Sequence, residues 1–118
     1  MANDFKRICT PSIGTSLTTI YGVPAGAGSA ALESIVIGIT MANKTTSGVT
    51  ASIFIDNEDG SNDVYIVKDA SIPAGSSLEV MSGNKLVLMN DGTNADNLEA
   101  TCSATSSLDV TVSVLEDV

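Results

Sequence analysis

The sequence contains no histidine and no tryptophan, and aromatic residues make up only 3% of its 118 positions. Without histidine, no positioned imidazole base can activate a serine or cysteine. Two cysteines, Cys9 and Cys102, cannot by themselves make a structural zinc site in its absence. The lack of tryptophan also removes the aromatic platforms on which sugar-binding clefts are built. Bases are scarce: five Lys and Arg stand against 14 Asp and Glu, giving a net charge of −9 and a pI near 4.1. Such a chain lacks the basic face that binding to phosphate backbones needs, and it is repelled by anionic membrane surfaces. Long apolar runs are missing too. The longest, Ile35 to Ile39, contains Gly38 and falls far short of a membrane span. The first residues, Met-Ala-Asn-Asp-Phe-Lys-Arg-Ile, show no apolar signal region, so synthesis in a cytoplasm is expected. There both thiols are expected to be reduced and buried; a bridge between them would require the first and last strands to be neighbours.

What is present is apolar and small. Hydrophobic residues reach 43% while charged residues stop at 16%, too apolar for a disordered chain. With so few aromatics, the core must come from Val, Ile, Leu, Ala and Met. The length fits one domain.

Apolar residues alternate with a period of two along most of the chain. Val49, Ala51, Ile53 and Ile55 alternate with Thr50, Ser52 and Phe54; Leu108, Val110, Val112 and Val114 alternate with Asp109, Thr111 and Ser113. The same holds for Leu98 to Ala104 and for Leu32 to Met41, where Ile35, Ile37, Ile39 and Met41 share a face. The stretch Val64 to Val80 reads strand, turn, strand, with Pro73-Ala74-Gly75 as a type I turn. The grammar repeats at Val23-Pro24-Ala25-Gly26, and each copy leads into Leu-Glu, as Leu32-Glu33-Ser34-Ile35 and as Leu78-Glu79-Val80. Acidic turns are expected at Asp56–Asp63 and Asn90–Asp96; the first does not match the spacing of a helix-loop-helix calcium loop, leaving at most a weak cation site. The pattern predicts an all-β domain, an antiparallel β-sandwich of eight to nine strands with the jelly-roll as a natural wiring. Residues 1–16 form an N-terminal arm or first edge strand, and residues 17–118 the sandwich. Ile35, Ile37, Ile39, Val49, Ile53, Ile55, Val64, Ile66, Val110, Val112 and Val114 are expected inside.

No catalytic constellation emerges. The serines lie in turns and outward strand positions, with no Gly-x-Ser-x-Gly elbow. Glu33 and Glu79 occupy equivalent places in the two Pro-Ala-Gly copies, but as solvent-facing strand starts rather than as a glycosidase pair. Pro24–Ala30 lacks the spacing and the Lys-Ser/Thr ending of a phosphate loop. No enzyme activity, cofactor or metal is expected, and a domain of this kind works by contact.

The chain resembles small virion structural proteins of tailed bacteriophages, particularly those of marine bacteria. The resemblance rests on Phe5-Lys6-Arg7, Ile13-Gly14-Thr15, Tyr21 to Gly26, Ile72 to Glu79, Ser82 to Leu86 and the closing Leu108 to Glu116. It implies a β-sandwich component of the particle. A capsid decoration (cement) protein is the first expectation; a neck or tail accessory subunit, or a host-surface or glycan-binding module, are the alternatives. The expected location is the virion, the expected partner the major capsid protein, and the expected state a homo-oligomer, a trimer by preference. Candidate contact residues are Phe5, Lys6, Arg7 and Ile8, a basic and apolar segment suited to an acidic partner, together with Phe54, an aromatic on a polar strand face.

Overall fold

A computed structural model describes residues 3–57, 63–81 and 85–117. Nine strands occupy them: β1 (Asn3–Ile13), β2 (Thr18–Gly22), β3 (Leu32–Asn43), β4 (Val49–Asp56), β5 (Val64–Ile72), β6 (Ser77–Glu79), β7 (Leu86–Asn90), β8 (Asn97–Cys102) and β9 (Leu108–Asp117). Among the described residues the only helical element is a 3-10 turn at Ala27–Ser29. β-Branched residues at period two specify the strands, and Gly, Pro, Asn and Ser break them.

All pairings are antiparallel. Sheet I has the order β1-β9-β3-β6, with β7 also paired to β3; sheet II has the order β2-β8-β4-β5. β1 pairs with β9, β2 with β8, β3 with β7 and β6, and β4 with β5. The chain is thus a long hairpin doubled back between β4 and β5, then rolled so that successive pairs fall in alternate sheets. This is jelly-roll wiring, and the fold is the sandwich the alternation predicts.

The two Pro-Ala-Gly segments both carry the chain from sheet II into sheet I, at β2 to β3 and at β5 to β6. Each is preceded by a buried anchor, Val23 or Ile72. They differ in geometry. At the second, Ser76 N–H donates to the Pro73 carbonyl (3.1 Å) and Gly75 takes φ +69°, the arrangement of a type II turn rather than the expected type I. At the first, the positive φ falls on Gly28 instead.

The core lies between the sheets. Val36, Ile39, Met41, Ile53, Leu88, Leu98, Ala100, Leu108, Val112 and Val114 are each excluded from solvent. Of the residues expected inside, Ile39, Val49, Ile53, Val110, Val112 and Val114 are buried, and Ile55 and Ile66 pack partly against the core. Ile35 and Ile37 face outward, and Ile37 is 41% exposed. The cause is a β-bulge: Val36 pairs with Val114 and Gly38 with Ser113, so β3 carries one extra residue there and its parity flips. Leu32, Ser34 and Val36 point inward before the bulge; Ile39, Met41 and Asn43 do so after it. Val64 is exposed at the start of edge strand β5. Cys9 and Cys102 are both free, and Cys102 is buried, but Cys9 is exposed, contrary to expectation. The first and last strands are neighbours, yet Cys102 sits on β8 in the opposite sheet.

Candidate contact surfaces

β1 is an edge strand hydrogen-bonded along its length to β9. Strand alternation divides the candidate residues it carries. Phe5 and Arg7 stand on the outer face of sheet I, exposed; Lys6 and Ile8 turn toward the sandwich, where Ile8 packs against the core. Lys6 Nζ lies 3.0 Å from Oε1 of Glu116, a carboxylate only 2% exposed. The other oxygen, Oε2, accepts a 2.6 Å hydrogen bond from the Tyr21 hydroxyl, which also lies 2.8 Å from Ser34 Oγ. Tyr21 belongs to sheet II while Ser34 and Glu116 belong to sheet I, so this cluster ties the two sheets together. The Glu116 hydrogen bond and charge raise the Lys6 pKa; burial, then the Glu116 hydrogen bond, raise that of Tyr21. A cleft of about 390 Å³ between β1 and β2 is lined by Lys6, Ile8, Thr10, Tyr21 and Glu116. Lys6 is therefore engaged inside its own chain, and the segment Phe5–Ile8 does not present a single basic and apolar surface.

The outer face of sheet I carries a row of apolar side chains across four strands. The register aligns Phe5 (β1) with Leu115 (β9), Leu115 with Ile35 (β3), and Ile35 with Val87 (β7). Phe5 is 74% exposed and Val87 55%; Ile37 and Met89, 44% exposed, flank the row. Arg7 and Lys85 stand on one side of the row and Glu33, aligned with Met89, on the other. Three of the five bases form ion pairs: Lys6 with Glu116, Lys44 with Asp109 and Lys68 with Asp69. The remaining two, Arg7 and Lys85, have no ion-pair partner among the described residues and both belong to this face. Sequence reasoning singled out Phe5 and Arg7 but missed Ile37, Val87, Met89 and Lys85, because the bulge and the strand order were not visible.

The outer face of sheet II is different. Its row runs Thr19, Glu99, Phe54, Tyr65. Phe54 is half-buried, its ring centroid 5.7 Å from that of Tyr65, and Lys68 Nζ lies 5.4 Å over the Tyr65 ring. Glu99 has its pKa raised by partial burial and then by Asp56.

Charge also separates the ends of the sandwich. The connections 23–31 and 91–96, residues 57 and 63, the start of β1 and the end of β9 share one end; 14–17, 44–48, 73–76 and 103–107 share the other. Asp56 and Asp63, which bound the first acidic turn, are thus at one end with 91–96; residues 58–62 lie outside the described residues, and with them most of the weak cation site considered there. Asp91 accepts from the N–H groups of Thr93 (2.8 Å) and Asn94 (2.7 Å), which hold its carboxyl below the ordinary range. The opposite end is almost uncharged. There the buried Asn43 donates to the carbonyls of Ser47 (2.8 Å) and Ile72 (3.0 Å) and accepts from Thr45, tying the connections 44–48 and 73–76 together. Glu33 and Glu79, both on the outer face of sheet I, sit at opposite stretches of β3, with Glu79 aligned to Thr40, so they do not form a carboxylate pair.

No protein-family profile matches the chain, and no curated protein matches its sequence. Solved structures do match its fold. One is a chain of the T13 IBDV viral particle, at 12% identity and a TM-score of 0.52, covering 96% of this chain and 31% of that one. Others are a chain of the infectious bursal disease virus Gx strain (14% identity, TM-score 0.44, 97% and 33% covered) and one from the disulfide-linked endospore appendages of Bacillus (12%, 0.44, 97% and 86%). The chain spans about a third of the length of the viral chains it matches.

Proposed function

We propose that this chain is a non-enzymatic structural protein of a bacteriophage virion, a capsid decoration or cement protein seated on the major capsid protein. The observation that carries the reading is the fold: a jelly-roll sandwich comprising the whole described chain, shared with a chain of a viral particle at a TM-score of 0.52. The distribution of chemistry supports it. Buried polar groups such as Asn43 and the Tyr21, Ser34 and Glu116 cluster serve the frame, while the outer face of sheet I offers bare apolar side chains with two bases, Arg7 and Lys85, that have no ion-pair partner among the described residues. Large exposed apolar patches on soluble proteins mark contact surfaces.

Quantitative mass spectrometry of purified particles tests the reading. A decoration protein is present on the order of hundreds of copies per particle, as shell symmetry requires. A dozen copies or fewer would assign it to the neck or tail, and absence from the particle would overturn the proposal.

A further inference from the structure

We propose that the outer face of sheet I pairs two copies of this chain, about a two-fold axis running along the row Phe5, Leu115, Ile35, Val87. The inference goes beyond the particle reading and does not depend on it.

The occupant follows from charge. Beside the row the two flanks differ in charge: Arg7 and Lys85 stand on one side, with Glu79 farther along it near Thr40, and Glu33 stands on the other. A two-fold axis along the row lays the apolar residues of one copy on those of the other and inverts the flanks, so that the Lys85 side of each copy meets the Glu33 side of the other. Lys85 is then brought beside Glu33 of the second copy, on the adjacent strand, twice per dimer. Within one chain the two cannot meet, since they stand four residues apart along neighbouring strands, about 13 Å. The other face-to-face arrangement, with the axis along the strands, places Arg7 of one copy over Lys85 of the next, and like charges in juxtaposition are costly.

The ends of the molecule select the same arrangement independently. Each copy carries a net charge of −9, and Asp56, Asp63, Asp91 and Asp96 lie at one end. An axis along the row runs the copies antiparallel and sends those ends to opposite poles of the dimer; an axis along the strands would set them side by side. The contact is isologous and closes on two copies, not on the three expected from the sequence.

Sedimentation velocity of the full-length protein over a dilution series is the test. The wild type is expected to dimerise. Val87→Asp, placed where the side chain is 55% exposed, is expected to be monomeric with an unchanged circular dichroism spectrum and melting temperature. Glu33→Lys and Lys85→Glu are each expected to weaken the dimer by about tenfold, and the double swap to restore it. A wild type that stays monomeric to concentrations on the order of 1 mM overturns the proposal and leaves the face to a different protein. So does a dimer that survives Val87→Asp, or a double swap that fails to restore association. Self-association is read on the purified chain, so its failure is separable from failure of the particle reading.

Discussion

Two phenylalanines on two outer sheet faces mark the main asymmetry of this molecule. Phe54, on sheet II, is half-buried against Tyr65, with Lys68 over the Tyr65 ring, so that row supplies its own cover. Phe5, on sheet I, is three-quarters exposed and begins a row in which Ile35, Leu115 and Val87 are also uncovered to different degrees. The same residue type in the same secondary structure is a local packing element in one place and an unsatisfied contact in the other. Strand neighbours decide which: β5 brings Tyr65, itself capped by Lys68, to Phe54, whereas β1 is an edge and the cross-strand partner of Phe5 is Leu115.

The sharpest way to break this comparison is to displace the boundary between inside and outside on β3. Ile39→Ala is expected to cost about 2–5 kcal/mol, as a fully buried truncation does, and Ile37→Ala less than about 1 kcal/mol. Denaturant unfolding of the two variants reads the bulge directly; equal losses would mean that β3 runs without it.

Next in size is the tie beneath the faces. Tyr21→Phe leaves the buried Glu116 without its hydroxyl donor and is expected to destabilise by about 1–3 kcal/mol in the same assay. A neutral result would show that the sheets are held together by apolar packing alone.

The aromatic pair itself gives a smaller, more discriminating effect. Phe54→Ala is expected to lose about 1 kcal/mol of stability, because it strips a cross-strand partner from Tyr65. Phe5→Ala is expected to change stability by less than about 0.5 kcal/mol while weakening self-association.

Much of this architecture was legible in the sequence, and the illegible part has identifiable causes. Period-two alternation around Ile53, Leu98 and Val112 placed the strands and the core, because buried sheet faces tolerate little else. The register of β3 was hidden because Ile35, Ile37 and Ile39 look equivalent until Val36 and Gly38 are seen to pair with adjacent residues of β9. The two Pro-Ala-Gly segments were recognisable as turns but not as sheet-to-sheet crossings, which depend on long-range pairing. Among the candidate contact residues, Phe5 and Lys6 looked alike as members of one segment; only the pairing with β9 showed that one faces out and the other reaches Glu116. Lys85 escaped notice because nothing local distinguishes a lysine at a strand start from any other.

The smallest effect concerns pH and distinguishes Glu99 on sheet II from Asp91 and Asp109. Glu99 has a raised pKa, so its contribution to stability is present below the unfolded value, near 4.3, and is lost as pH rises through the folded value. Asp91 and Asp109 are depressed; their contribution is present above about 3.9 and disappears as pH falls through their folded values. The melting temperature is therefore expected to rise as pH falls through the folded Glu99 value and to fall again as pH drops through the depressed values of Asp91 and Asp109. Glu99→Gln should flatten the first limb only; an unchanged profile in that variant would remove Glu99 as its source.

The claim that sheet I presents a contact face and sheet II a solvated one is tested most directly by hydroxyl-radical footprinting of the intact protein across a dilution series. Phe5 and Met89 are predicted to be oxidised in the dilute protein and protected as concentration rises, with Tyr65, 57% exposed on the other sheet, reacting equally throughout. Protection of Tyr65 with Phe5 and Met89 unchanged would contradict the account.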